Sequence, residues 1–171
     1  MVAATDVGID GKLTLLFEDE SRNIGSVHLP AALITQLQQA PLVLLEVSDE
    51  ERVEISYQEY VVDMVTAYTV QEGNEAAGLA AFSAYILGSL DKIKRRLGGV
   101  RFAEVSALMQ QALAAQQSNG DTSAHRDWVR YILLDYYDPM YDYQLSKKQA
   151  RISFRGDRSA VGEYLAELGI K

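Results

Sequence analysis

Five cations fall within ten residues at Lys92, Lys94, Arg95, Arg96 and Arg101, on either side of Gly98-Gly99. Guanidinium groups bind anions through paired N–H bonds, and glycine lets a backbone approach the same anion. The segment therefore reads as a phosphate or RNA-backbone contact. It reads equally as a cationic helix end that complements the helix dipole before a glycine stop. A second cluster is Tyr136-Tyr-Asp-Pro-Met-Tyr-Asp-Tyr143, followed by Gln144-Leu-Ser-Lys-Lys148. The rings of Tyr136, Tyr137, Tyr141 and Tyr143 are suited to stacking a base, and Lys147 and Lys148 to holding its phosphate. The plainer reading is a helix–helix corner capped by Asp138, with tyrosines at the rim of the core. A third is Glu18-Asp-Glu-Ser-Arg22, a polar turn after an apolar run. Its carboxylates suit Mg²⁺ beside a phosphate and Arg22 suits the phosphate itself, or the turn is simply solvated. Arg155-Gly-Asp-Arg158 also follows a strand pattern; Arg155 is an anion candidate there, against a plain strand-to-helix turn.

Other chemistry is excluded by what the chain lacks. Its 171 residues contain no cysteine and two histidines, so thiolate chemistry, a Cys-ligated zinc and a His-based metal site have no ligands. His28 reads as structural, His125 as exposed near a helix start, and Trp128 as core. Neither the P-loop pattern nor G-x-G-x-x-G nor G-x-S-x-G occurs. No catalytic residue, cofactor or metal is assigned from these residues. The net charge of −8 argues against uniform binding to a duplex, though not against a local basic patch. No run approaches a membrane span and the start has no basic leader, so a cytoplasmic protein is expected.

The elements that must position these groups follow from periodicity. Leu13–Phe17 and Leu42–Val47 are apolar runs of strand length, the second suited to cover on both faces. Pro30 opens a helix between them, and Ser48 with Glu51 forms a capping box for a helix through about Tyr68. Asn74 caps a helix through Leu97 with Leu79, Phe82, Ile86, Leu90, Ile93 and Leu97 on one stripe. Further helices are expected over Phe102–Ala115, from Ser123 to about Tyr137, and from Met140 to about Gln149. A loop over residues 116–122 separates the first two, and Asp138-Pro139 separates the last two. Arg151–Arg155 alternates as a strand, and a closing helix over Arg158–Leu168 stops at Gly169. The expected fold is α/β: a small, mostly parallel sheet of about three strands with a large helical insertion at about 70–148. Residues 13–171 form one domain, after a poorly ordered extension over 1–12.

Five blocks in order resemble bacterial tRNA 2-selenouridine synthase. They are Phe17–Pro30, Pro41–Val47 with Glu51-Arg52, Arg95-Arg-Leu-Gly-Gly-Val-Arg101, Tyr136–Leu145 and Phe154-Arg-Gly-Asp157. The resemblance implies the downstream part of a P-loop-NTPase-like domain, without the rhodanese-like domain, its catalytic cysteine or the Walker A motif. It implies work on 2-thiouridine at the tRNA wobble position, by geranylation from geranyl diphosphate and then selenium transfer from selenophosphate. The chain would then be a fragment or truncated relative, inactive alone, whose partners are tRNA and the missing regions. A sheet lacking its P-loop strand would leave an edge to be covered by a homodimer or by the residues before Leu13. On that reading Arg22, Arg95, Arg96, Arg101 and Arg155 are phosphate candidates. Tyr136, Tyr137, Tyr141, Tyr143, Lys147 and Lys148 are RNA candidates, converging with the arginines on one pocket. The helical insertion would provide an apolar cleft for the geranyl chain. The competing expectation is a stand-alone interaction or regulatory module that kept the fold and lost the chemistry.

Overall fold

A computed structural model of the chain describes residues 2–8, 12–19, 22–24 and 27–170. It divides into two compact units, one formed by the residues up to Val47 with those from Tyr143 onward, the other by Ser48–Asp142.

The first unit contains β1 (Val2–Gly8), β2 (Lys12–Glu18), the short pair β3 (Asn23–Ile24) and β4 (Val27–His28), α1 (Ala31–Gln39) and β5 (Leu42–Leu45). After the end of α7 (Asp138–Ser146) come a 3₁₀ turn at Gln149–Arg151, β6 (Ile152–Gly156) and α8 (Arg158–Glu167). The sheet order is β2-β1-β5-β6. Leu42 and Val43 of β5 are buried, as their unbroken apolar run requires, and β6 lies parallel to β5. Ahead of α8, the Asp157 carboxylate accepts the Ala160 N–H at 2.9 Å, and Phe154 of β6 stacks on Tyr164 of α8 at 4.3 Å.

Two expectations are corrected here. The sheet is mixed: β5 and β6 are its parallel pair, whereas β1 runs antiparallel to both β2 and β5. The extension over residues 1–12, expected to be poorly ordered, supplies β1. The physical reason is the edge of β5, whose N–H and C=O groups need a partner. Val2 and Ala3 provide it opposite Val43 and Leu42.

The second unit is helical. It comprises α2 (Asp49–Tyr57), a π-helical stretch over Gln58–Asp63, α3 (Met64–Glu72), α4 (Glu75–Leu97), α5 (Gly99–Asn119) and α6 (His125–Arg130). A second π-helical stretch over Tyr131–Tyr137 leads into α7. The caps are those the sequence carries: Ser48 Oγ accepts Glu51 N–H at 3.2 Å and Asn74 Oδ1 accepts Ala77 N–H at 2.8 Å. The α4 stripe delivers Phe82, Ile86, Leu90 and Leu97 into a core shared with Val53, Val61, Val105, Met109 and Val129. Helix α2 belongs to this unit, so the helical part begins at Ser48, earlier than the expected 70.

Asp138-Pro139 was expected to stop one helix and cap the next. Instead the backbone stays helical through Asp138 (φ −58°, ψ −45°). A proline ring clashes with the carbonyl four residues back in an α-helix and removes one hydrogen bond. The π-helical stretch immediately before it has the wider turn often found where such a conflict is absorbed. The histidine readings also reverse. His125 is fully buried, and His28 is exposed, its Nδ1 2.7 Å from Asn23 Oδ1.

Gly78 marks where α3 and α4 approach most tightly. A Cβ there would sit 2.5 Å from Thr69 Cα and 2.7 Å from Thr69 N. Those are backbone atoms, so the helices themselves must separate. Gly78→Ala is expected to lower stability by about 1–3 kcal/mol despite alanine's better helix propensity. Urea unfolding checks this; a variant as stable as the parent would contradict the close approach.

Candidate functional site

The helical unit encloses an apolar cleft of about 540 Å³. Its floor is Ile86, Leu90, Ile93, Met109, Trp128, Val129, Ile132 and Leu133, and its rim carries Tyr60, Tyr85, Tyr137 and Tyr141 with Ser56 and Ser89. Both π-helical stretches contribute: Tyr60 from the first, and Ile132, Leu133 and Tyr137 from the second. Such wide turns recur at functional sites because they re-aim side chains that a regular helix would place elsewhere. Burial pushes the Tyr60 phenol above its usual range, with smaller contributions from Glu59 and the hydroxyls of Tyr85 and Tyr137. These phenols thus stay neutral and serve as hydrogen-bonding rim groups.

An ion pair holds the tyrosine segment. Arg52 of α2 grips Asp138 through two bonds, Nη1–Oδ2 at 2.8 Å and Nη2–Oδ1 at 2.5 Å. The fork-to-fork geometry fixes orientation as well as distance. Asp138 is therefore spent on positioning, not on capping. Tyr137 and Tyr141 follow from it, 6.2 Å apart ring to ring, while Tyr136 packs edge-on against Tyr137 at 4.9 Å and against the core.

The cations at the α4–α5 corner are exposed. Lys94 lies over the Phe102 ring at 4.5 Å. Lys92, Arg95, Arg96 and Arg101 form no ion pair within 4.0 Å among the described residues. Arg95, Arg96 and Arg101 do not line the cleft. Arg96 stands seven residues beyond Ser89 and three beyond Ile93, and Lys92 three beyond Ser89. Helical periodicity sets all four along one side of α4, continuing the cleft's stripe.

The first unit holds a separate pocket of about 250 Å³. It brings together groups more than a hundred residues apart in sequence. Glu18, Asp19 and Arg22 line it with Lys148 and Arg151, over Phe17, Leu29, Ile34 and Leu37. Lys148 Nζ binds Asp19 Oδ2 at 2.5 Å. Arg151 donates from Nε to Ala40 O at 2.9 Å and from Nη2 to Leu37 O at 2.6 Å, closing the end of α1. Of the expected site residues, Arg22 and Lys148 thus meet. Arg155 lies outside this pocket, facing Glu46 at 3.6 Å and Gln149 at 3.4 Å. Lys147 sits over the Tyr143 ring at 3.9 Å. Glu20 and Ser21, flagged with Arg22 in the sequence, lie outside the described residues.

The candidates are therefore divided. Arg22, Arg155, Tyr143, Lys147 and Lys148 belong to the first unit. Arg95, Arg96, Arg101, Tyr136, Tyr137 and Tyr141 belong to the second. Sequence reasoning missed Tyr60, Tyr85, Ser89 and the cleft role of Trp128. The available signal was the four-residue step from Tyr85 to Ser89 to Ile93 on the face beside the core stripe.

A family model described as the tRNA 2-selenouridine synthase AAA domain matches residues 2–169. The chain belongs to that family. Proteins named tRNA 2-selenouridine synthase align along most of it. That of Cronobacter sakazakii is 47% identical over 150 residues, covering 88% of this chain and 40% of the relative. That of Azotobacter vinelandii is 48% identical over 152 residues, covering 89% and 41%. That of Cupriavidus pinatubonensis is 43% identical over 157 residues, covering 92% and 43%. The chain thus spans about two-fifths of the length of these relatives. No solved structure matches it. Among the described residues, no helix is long and apolar enough to cross a membrane.

Proposed function

We propose that this chain is the substrate-binding and lid portion of a tRNA-modifying transferase that converts 2-thiouridine to 2-selenouridine at the wobble position through a geranylated intermediate. The observation that carries the reading is the apolar cleft with its tyrosine rim. A ten-carbon isoprenoid chain gains about 0.8 kcal/mol for each methylene-sized group removed from water. That is several kcal/mol before ordering costs, and a cleft of this size and lining is built to collect it. Lys92 and Arg96, at the end of the cleft's stripe and without a carboxylate partner among the described residues, are the groups suited to the diphosphate of geranyl diphosphate. The remaining cations, Arg95 and Arg101, suit RNA phosphates or the second anionic donor, selenophosphate. With no cysteine and no phosphate loop in these 171 residues, the chain binds substrate and does not complete the reaction alone.

Trp128 is the chain's one tryptophan and it lines the cleft, so its emission reports occupancy directly. Geranyl diphosphate is expected to change it saturably, whereas inorganic diphosphate at equal concentration leaves it unchanged. A flat titration with geranyl diphosphate contradicts the cleft's assignment. The competing reading, an interaction module that lost its chemistry, draws on the net charge of −8 and the missing motifs. Salt-dependent association with tRNA separates the two. Phosphate-driven binding falls steeply from low to physiological salt, whereas the module reading expects no binding even at low salt.

A further inference from the structure

We infer that the 250 Å³ pocket of the first unit is a subsite for a single unstacked uridine nucleotide. The inference rests on the RNA-modifying reading for why such a nucleotide is presented. It assigns the base to a site of its own in the first unit, whereas the isoprenoid cleft belongs to the second.

The pocket is smaller than those that enclose drug-sized ligands and suits one nucleotide. Its floor is apolar, formed by Phe17, Leu29 and Leu37, which suits the flat face of a base. Its polar groups are fixed in advance and only partly used. Asp19 accepts from Lys148 through Oδ2, which leaves Oδ1 as an acceptor. Arg151 spends Nε and Nη2 on the carbonyls that end α1, which leaves Nη1 as a donor. A uracil edge presents an N–H donor at N3 flanked by two acceptors, O4 and the oxygen or sulfur at C2. An acceptor beside cationic donors is the complement of that edge. Cytosine carries an unprotonated N3 and an amine instead, and would set its lone pair against the Asp19 carboxylate. Arg22 is exposed at the pocket's lining, and its backbone carbonyl accepts the Leu29 N–H at 2.9 Å, which fixes the main chain from which the guanidinium reaches a phosphate. Three cations against Glu18 and Asp19 leave the pocket net positive on an acidic chain.

The test is a ¹⁵N NMR titration of the 171-residue chain with uridine 5′-monophosphate, cytidine 5′-monophosphate and inorganic phosphate. Uridine monophosphate is expected to shift the amides of Leu37, Gln38 and Arg151 and to bind at least tenfold tighter than the cytidine nucleotide. Arg22→Ala, a change at an exposed side chain, should weaken it about tenfold with the rest of the spectrum kept. Asp19→Asn should erase the preference for uridine. Equal response to both nucleotides, reproduction of the shifts by inorganic phosphate, or no shift at these amides overturns the inference. If it fails while geranyl diphosphate still alters Trp128 emission, the cleft reading stands. If neither ligand binds, both fall.

Discussion

Ser89→Phe is expected to reduce geranyl diphosphate binding at least thirtyfold while leaving the chain as stable as before. Ser89 is half-buried and lines the cleft from α4, between Tyr85 and Ile93. A phenyl ring there projects into space that is empty, so it meets no close-packed neighbour and fills the volume the isoprenoid would take. A thirtyfold loss corresponds to about 2 kcal/mol, the worth of two to three methylene-sized contacts. The substitution keeps Trp128 as the sole indole, so the same fluorescence titration reads both proteins. Thermal unfolding supplies the control. Unchanged affinity in a stable variant would show that the ligand, if it binds, lies elsewhere. Weakened binding with a lowered Tm would instead show a damaged fold, and Ser56→Leu repeats the test from α2.

The second large effect is on stability at mild acidity. His125 is fully buried, and its two ring nitrogens are committed. The Trp128 indole N–H donates to Nδ1 at 2.8 Å. Nε2 lies 2.9 Å from Gln116 Oε1. Because an indole nitrogen only donates, Nδ1 is the acceptor and the proton resides on Nε2. A second proton would set two N–H groups against each other in a dry site. Burial accordingly pushes the imidazole down to about 4 from its ordinary 6.5. The sign follows from proton counting. Between those two values the unfolded chain binds a proton that the folded chain does not, so stability rises with pH across the window. It is complete above about pH 6.5 and falls by about 1.4 kcal/mol per pH unit on acidification, reaching a loss of about 3 kcal/mol near pH 4. Urea unfolding from pH 7 to pH 4.5 should show this slope. In His125→Phe, which keeps a ring of similar size without a titrating group, the slope should be shallower. Identical slopes in the two proteins would remove His125 as the cause.

How much of this was legible beforehand depended on whether the deciding interaction was local. The α4 stripe, the Ser48 and Asn74 caps, Pro30 ahead of α1 and the Leu42-Val43 strand are set by neighbours within one or two turns, and they appear where the residues put them. His125 was misread because its environment is supplied by Gln116 and Phe82, nine and forty-three residues earlier. The three-residue step to Trp128 was the available hint that it faced inward. Asp138 looked like a cap because its partner, Arg52, is 86 residues away. The strand order went wrong because nothing in Val2–Gly8 announces that it will pair with β5. The site was legible in part. The Glu18–Arg22 turn and Lys148 meet in one pocket, and Tyr137 and Tyr141 reach the cleft. The block from Tyr136 to Lys148, read as one patch, is divided between two units. Residue type announced polar chemistry, but not which phenols would line an oily surface.

The two wide-turn stretches carry a consequence for how this chain tolerates change in length. Each accommodates an extra residue relative to a regular coil. Excising one residue from Tyr131–Tyr137 would let the segment relax into ordinary winding and rotate everything after it by about 100°. Tyr141 would swing off the cleft and Asp138 would leave Arg52, although no side chain had been altered. The phase of the coil is thus itself part of the binding surface, and lineages that keep the cleft should vary in the composition of this stretch far more freely than in its number of residues.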